Sequence, residues 1–144
     1  MNPHTTDELL KILNSLDSTE DLEEYDRLAD ESHVCTSFSD FLSKQIEQSG
    51  LSVGEVIRKA DIQRTYGYQI LNGGRQPGRD KVISLCLALS LPLEEVQRAL
   101  NIAQEAALYP KRRRDSILIF GINQKLGVRE VNDLLFEMKE KPLD

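Results

Sequence analysis

Side chains suited to catalysis or metal binding are few in this chain of 144 residues. The histidines are His4 and His33, and the cysteines are Cys35 and Cys86. A structural zinc site takes four such ligands in closely spaced pairs, and this sequence offers only the pair His33 and Cys35. The carboxylates cluster as surface charge, and no glycine-rich phosphate loop is present. We therefore expect a protein that is not an enzyme and that needs no metal or cofactor.

The position of Cys86 and the composition of the N-terminal residues indicate the cellular compartment of the protein. Cys86 lies within the apolar run 82–89, which predicts a buried thiol in a reducing compartment. The first residues are polar and acidic, and no apolar run approaches the roughly 18 residues of a membrane span. These features predict a cytoplasmic protein that does not contact membranes.

The net charge of −6 is distributed unevenly along the chain. Residues 1–49 carry 3 Lys and Arg against 12 Asp and Glu, and residues 82–144 carry 9 against 9. Residues 50–81 carry 6 Lys and Arg against 3 Asp and Glu. Because a positive local field can exist on a protein of negative total charge, a polyanion such as nucleic acid suits the middle segment only.

Apolar residues recur at helical spacing along most of the chain, and no segment alternates long enough for a strand. We predict an all-α fold of roughly seven helices. Residues 1–36 form an acidic helical arm or linker, in which Thr6 caps a short helix. Residues 37–104 form the central domain, and residues 105–144 form a C-terminal helical extension.

Local signals place several helix boundaries. Gly50 is expected to end the helix that starts near Ser37, as a left-handed C-cap. Ser52 and Glu55 form a capping box at the start of a short helix. A tight turn, from which the Ile62 side chain is expected to enter the core, leads to a second short helix over 63–72, which Gly73 ends through a positive φ. Asp80 is predicted to cap an apolar helix over 81–90, and Pro92 lies near the first turn of the next helix.

Two further helices are predicted in the extension. Residues 115–122 are apolar almost all round, so we expect that helix to be buried. The last helix begins at about Val128, and one apolar stripe along it consists of Val128, Val131, Leu134, Leu135 and Met138.

A set of residues between Phe38 and Leu100 follows a specific pattern. Its members are Gly50-Leu51-Ser52, Val56, Ala60, Ile62, Ile70, Asn72-Gly73, Pro77, 85–89 and 91–96. Over this whole length the chain resembles the XRE-type (phage-repressor-like) helix-turn-helix family. The resemblance implies a repressor-like domain of five helices, and the extension is similar to one found in some bacterial members.

The resemblance implies that helix 63–72 is a recognition helix lying in the DNA major groove. Position by position, the implied base contacts are Gln63, Arg64, Thr65, Tyr66 and Gln69. The implied phosphate contacts are Ser52, Lys59, Arg75, Arg79 and Lys81. The chemistry agrees, because Arg pairs bidentately with guanine and Gln with adenine.

Two positions depart from the family pattern. Val53 stands where the family usually has a Gln that contacts the DNA backbone, so one phosphate anchor is missing. Gly67 stands where the recognition helix usually has an apolar residue facing the core. We expect Tyr66 and Tyr68 to turn inward and fill the resulting gap.

The function implied is a sequence-specific DNA-binding transcriptional regulator that binds double-stranded DNA as a homodimer. The alternative is a protein–protein interaction adaptor on the same scaffold, with a protein partner held by the extension or the acidic arm. The basic run 111–114 has three interpretations: phosphate contacts, a binding site for the acidic segment 17–31, or simple solvation.

Overall fold

Seven helices make up the part of the chain that the computed structural model describes, Ser37–Asp144. They are α1 (Phe38–Ser49), α2 (Val53–Lys59), α3 (Arg64–Leu71), α4 (Arg79–Ala88), α5 (Leu93–Ile102), α6 (Arg113–Asn123) and α7 (Val128–Glu137). No strand occurs in this range, which confirms the all-α prediction for it. The predicted arm over 1–36, with the Thr6 cap, His4, His33 and Cys35, lies outside the described residues.

Helix α4 is the centre of the hydrophobic core. Every residue from Val82 to Ala88 is buried, and α2, α5 and α7 pack against this helix. Cys86 is only 2% exposed, which confirms its predicted burial. Burial raises the pKa of the Cys86 thiol to about 12, so the sulfur stays protonated and unreactive at neutral pH.

The predicted signals at the ends of the first helices are confirmed. Gly50 ends α1 with φ 76°, and Gly73 follows α3 with φ 83°, both in the left-handed region that glycine tolerates best. At the start of α2 the Glu55 amide donates to the Ser52 hydroxyl at 3.1 Å. The Ser52 amide donates to the Glu55 carboxylate at 3.3 Å, which completes the capping box.

The predicted start of α4 is wrong. The N-cap is Gly78, and Asp80 lies inside the first turn of a helix that runs from Arg79 to Ala88 instead of over 81–90. The Asp80 carboxylate does not cap the helix, because it accepts two hydrogen bonds from the Arg114 guanidinium, at 3.1 and 2.9 Å.

Two ion pairs join the N-terminal ends of α4 and α6, and we call them the reciprocal clamp. Arg79 pairs with Asp115 at 2.8 Å, and Arg114 pairs with Asp80 at 2.9 Å. Each helix thus contributes one arginine and one aspartate at neighbouring positions. The clamp connects the predicted segments 37–104 and 105–144, which lie together in one compact unit, Ser37–Asp144.

The extension is less buried than its sequence predicts. Phe120 is 52% exposed although its helix is apolar almost all round, and Met138 is 39% exposed at the end of the predicted stripe of α7. Val128, Val131 and Leu135 of that stripe are buried as expected. The physical reason is that α6 packs on α5 and α7, and α7 packs on α4 and α6, so part of the surface of this helix pair has no described neighbour.

Gly67 leaves no gap for the tyrosines to fill, which makes that expectation wrong. A Cβ at Gly67 would lie 2.8 Å from three side-chain carbons of Ile57, so α2 and α3 are already in contact there. Tyr68 is instead 37% exposed, and Tyr66 is half-buried. The glycine permits the close approach of the two helices.

Replacing Gly67 with Ala is expected to lower the free energy of unfolding by about 1–2 kcal/mol, measured by urea denaturation. Overpacking against the branched Ile57 side chain outweighs the gain in helix propensity of about 1 kcal/mol. Gly54→Ala is the matched control, because a Cβ there meets nothing within 4 Å. That control should raise stability slightly. Equal effects of the two substitutions would contradict the packing argument.

Candidate nucleic-acid interface

Helices α2 and α3 are joined by a tight turn whose geometry is fixed by backbone hydrogen bonds. The Ile62 amide donates to the Ile57 carbonyl at 3.2 Å, and the Asp61 amide donates to the Arg58 carbonyl at 3.0 Å. Asp61 takes a positive φ of 57°, which reverses the chain at the end of α2. Ile62 is 7% exposed and Ala60 is 1% exposed, so the turn is anchored in the core as predicted.

Helix α3 begins at Arg64, and Gln63 is its N-cap instead of its first residue. The Gln63 side-chain oxygen accepts a hydrogen bond from the Tyr66 amide at 2.9 Å. This contact uses only the oxygen of the Gln63 amide, and its NH₂ group remains a potential donor to a base.

The outward side of α3 carries polar and aromatic side chains. Arg64, Thr65 and Tyr68 are exposed, whereas Gly67 and Ile70 are buried against the core. The Arg64 guanidinium carbon lies 5.6 Å from the centroid of the Tyr68 ring. Tyr68 is absent from the residues predicted as contacts, although the spacing of i and i+4 from Arg64 is a signal that could have identified it.

Two cations, Arg75 and Lys81, lie near the ring of Tyr66, which is also on α3. The Arg75 guanidinium carbon lies 5.2 Å from the Tyr66 ring centroid, and the Lys81 ammonium lies 5.9 Å from it. Arg75 Nε also donates to the Gln69 side-chain oxygen, at a long 3.4 Å. The fold therefore brings together Tyr66, Gln69, Arg75 and Lys81. We define the α3 surface as these four residues with Arg64, Thr65 and Tyr68.

The other three predicted phosphate contacts lie in different settings. Ser52 is exposed at the start of α2, where its side-chain oxygen accepts a hydrogen bond from the Glu55 amide. Lys59, at the end of α2, lines a cleft with Lys125 and Arg129.

Arg79 makes four hydrogen bonds within the protein. Its Nη1 and Nη2 donate to the Asp115 carboxylate at 3.0 and 2.8 Å. Nε donates to the Ala106 carbonyl at 2.9 Å, and Nη2 also donates to the Ala107 carbonyl at 3.0 Å. Since these bonds occupy the guanidinium, we do not include Arg79 in the proposed interface.

The carboxylate of Asp115 is the most buried charge of the described fold. Asp115 is 2% exposed, and it accepts a further hydrogen bond from the Tyr109 amide at 2.9 Å. Burial alone would raise the pKa of this carboxyl, but the Arg79 guanidinium and the Tyr109 amide stabilise the ionised form more strongly. The pKa of Asp115 is consequently below its ordinary value.

The four cations of the basic run 111–114 lie in two different settings: two are paired within the fold and two are exposed. Arg114 donates to Asp80 and to the carbonyls of Lys141 and Pro142, and Arg113 pairs with Glu140 at 3.4 Å. Lys111 and Arg112 are exposed. Two of the four cations therefore hold the C-terminal segment of the chain in place, which none of the three sequence interpretations included.

Comparisons with protein-family models, with curated proteins and with solved structures give no match for this chain. Among the described residues no group of His, Cys, Asp and Glu is arranged to hold a metal ion. None of the described helices combines the length and the apolar composition that a bilayer crossing needs.

Proposed function

We propose that the chain is a sequence-specific DNA-binding regulator of the helix-turn-helix class, which inserts α3 into the major groove. The observation that carries the proposal is the outward side of α3. Arg64 and Thr65 are exposed in the first turn, the part of a recognition helix that meets base edges. Arg64 suits guanine, and Thr65 offers both a hydroxyl and a methyl group.

Phosphate binding in this proposal comes from the edge of the same surface. Arg75 and Lys81 both lie near Tyr66 and supply two positive charges, and the exposed Ser52 side chain supplies a neutral polar contact. Val53 cannot replace the missing glutamine donor. The proposed interface thus uses few phosphate contacts in each protomer.

A homodimer belongs to the proposal, because one short helix reads too few base pairs to specify a site. Two copies would read half-sites about 34–36 Å apart, one turn of the duplex. With two cationic phosphate contacts in each protomer, the logarithm of the binding constant should fall with the logarithm of salt concentration with a slope of about −3.6.

The test is a selection of binding sites from random duplexes, followed by fluorescence anisotropy on the selected site. We expect a recurring sequence with two half-sites, bound tightly at about 50 mM salt and much more weakly at about 200 mM. Absence of binding at the lower salt concentration, or binding that does not change with salt, would contradict the proposal.

The second candidate function is that of a protein interaction adaptor, and the exposed apolar surface of α6 and α7 favours it. Phe136 is 77% exposed, and Phe120 and Met138 are also accessible. A groove of about 300 Å³ lies between these helices, lined by Ser116, Ile117, Phe120, Leu134 and Met138. Exposed apolar groups grouped in this way are typical of protein contact sites.

The two functions depend on different residues, so variants distinguish them. An adaptor would lose its protein partner on Phe120→Ser and keep it when Arg64 and Gln69 are both replaced by Ala. A regulator would lose its DNA site with the second variant. If Phe120→Ser only converts a dimer to a monomer in light-scattering measurements, the groove holds a second copy of the chain.

A further inference from the structure

A second cationic site, which shares no residue with the α3 surface, is a cleft of about 550 Å³. The C-terminal end of α2 forms one wall, and the start of α7 with the turn before it forms another. Leu87 and Ala88 at the end of α4 contribute an apolar part of the lining, with Leu126 and Val128 beside them.

Four cations line this cleft, and they come from parts of the chain that are far apart in sequence. Arg58 and Lys59 end α2, Lys125 lies in the turn after α6, and Arg129 lies in the first turn of α7. The lining holds two carboxylates, Asp61 and Glu130. The cleft thus has an excess of positive charge although the whole chain is acidic.

Three of the four cations form no ion pair within the described fold, although Glu55, one turn earlier on α2, carries a carboxylate near Arg58 and Lys59. Arg58, Lys59 and Arg129 are exposed and form no ion pair with any residue of Ser37–Asp144. Lys125 donates to the carbonyl of Ser90 at 3.1 Å, which positions its ammonium without cancelling its charge. The cations contrast with Arg79, Arg113 and Arg114, whose charges are all paired.

We propose that this cleft binds a small molecule that carries at least two negative charges on phosphate groups, of the size of a nucleotide. Its volume lies in the range of small-molecule sites, roughly 300–1,000 Å³. Guanidinium and ammonium groups from α2, from the start of α7 and from the turn before it suit phosphate oxygens, and the two charges of the ligand would balance the excess of two cations. The apolar lining suits a base or another flat apolar group.

The cleft favours a small ligand over duplex DNA for a geometric reason. A concave site encloses a compact anion from several sides, whereas a duplex presents a convex row of phosphates to a protein surface. The proposal does not depend on DNA binding by α3, because no residue of the α3 surface lines the cleft.

The experiment is isothermal titration calorimetry on the full chain, with ATP, pyrophosphate and AMP as probes and adenosine as an uncharged control. At low salt we expect ATP, pyrophosphate and AMP to bind and adenosine not to bind. Arg58→Ala and Arg129→Ala should each weaken ATP binding about tenfold, the loss expected when one charge-assisted hydrogen bond is removed. Arg98→Ala, which removes an exposed arginine of α5 outside the cleft, should leave the affinity unchanged.

Three results would overturn the proposal. The first is no heat of binding with any of the three phosphate compounds at millimolar concentration. The second is equal weakening by Arg129→Ala and Arg98→Ala, which would indicate general attraction to positive charge. The third is loss of duplex binding in Arg129→Ala without any nucleotide binding to the wild type, which would make the cleft a DNA contact. Thermal unfolding of each variant without ligand checks that the fold is retained.

Discussion

Replacing Asp115 with Ala is expected to lower the free energy of unfolding by about 3 kcal/mol, the range found when one partner of a buried ion pair is removed. The substitution leaves the guanidinium of Arg79 without its two carboxylate acceptors, and that side chain is only 20% exposed. The Tyr109 amide also loses its acceptor. A buried donor without a partner costs more than the net strength of the bond that was lost.

The destabilisation should extend to the connection between α5 and α6, because Arg79 also donates hydrogen bonds to the carbonyls of Ala106 and Ala107 in that connection. Arg79→Ala should therefore destabilise the fold to a similar degree. The double variant Arg79→Ala/Asp115→Ala should cost less than the sum of the single changes, since each single change already breaks the pair. Asp133→Ala, at an exposed position of α7, is the matched control and should change stability by less than about 0.5 kcal/mol.

The pH dependence of unfolding gives a second readout of the same pair. Because the pKa of Asp115 is lowered in the folded state, its contribution is fully present above the unfolded carboxyl pKa of about 3.9. The contribution is lost as the pH falls through the lower, folded pKa. The stability difference between wild type and Asp115→Asn, measured with urea, should thus be constant above about pH 5 and shrink as the pH falls below about 4. A difference that stays constant over the whole pH range would mean that the carboxylate charge is not what stabilises the clamp.

Replacing Arg64 with Ala is expected to weaken binding to the selected DNA site about tenfold to a hundredfold, because a bidentate contact to guanine contributes about 1–3 kcal/mol. Preference for the contacted base should be lost at the same time. Tyr68→Ala should have a smaller effect, about twofold to fivefold, because the ring only orients the guanidinium that lies 5.6 Å from it. Fluorescence anisotropy on matched and mismatched sites measures both quantities.

Arg98→Ala serves as the control for charge. It also removes one exposed arginine. Because that side chain pairs with the buried Oε2 of Glu95 at 3.5 Å and lies 5.8 Å from the ring centroid of Phe41, thermal unfolding of the variant is measured alongside binding. We expect the substitution to leave the preference between sites unchanged. If Arg64→Ala lowers binding to all duplexes equally and without loss of base preference, Arg64 contacts phosphate, and α3 does not read sequence through it.

Local signals in the sequence correctly predicted the ends of the first described helices. Gly50 and Gly73 end their helices, Ser52 and Glu55 cap α2, and Ile62 anchors the turn, because each of these roles depends on residues within a few positions of one another. The sequence places the start of α4 at the wrong residue, because the carboxylate of Asp80 accepts hydrogen bonds from Arg114, 34 positions away, and does not cap the helix.

The candidate site was predictable only in part for the same reason. The polar character of 63–69 is visible in the sequence, but which of its side chains are free depends on distant residues. Arg79 resembles a phosphate contact in the sequence and is bound by Asp115, 36 positions further on. In the sequence, Gly67 looks like the loss of an apolar core residue. In the structure it is the position at which α3 contacts the Ile57 side chain of α2. The cleft between α2 and α7 has no sequence signature, since its cations come from separate segments.

The amino-acid sequence by itself determined that Ser37–Asp144 is helical, where the first described helices end, and that residues 50–81 carry a net positive charge. Helical periodicity and capping act over a few residues, so they can be read in order along the chain. The tertiary structure alone decided which arginines are paired, which aromatic side chains remain exposed and which cations meet in a cleft. These properties depend on contacts between residues at least 27 positions apart in the sequence. Only the packing of the helices brings such residues together.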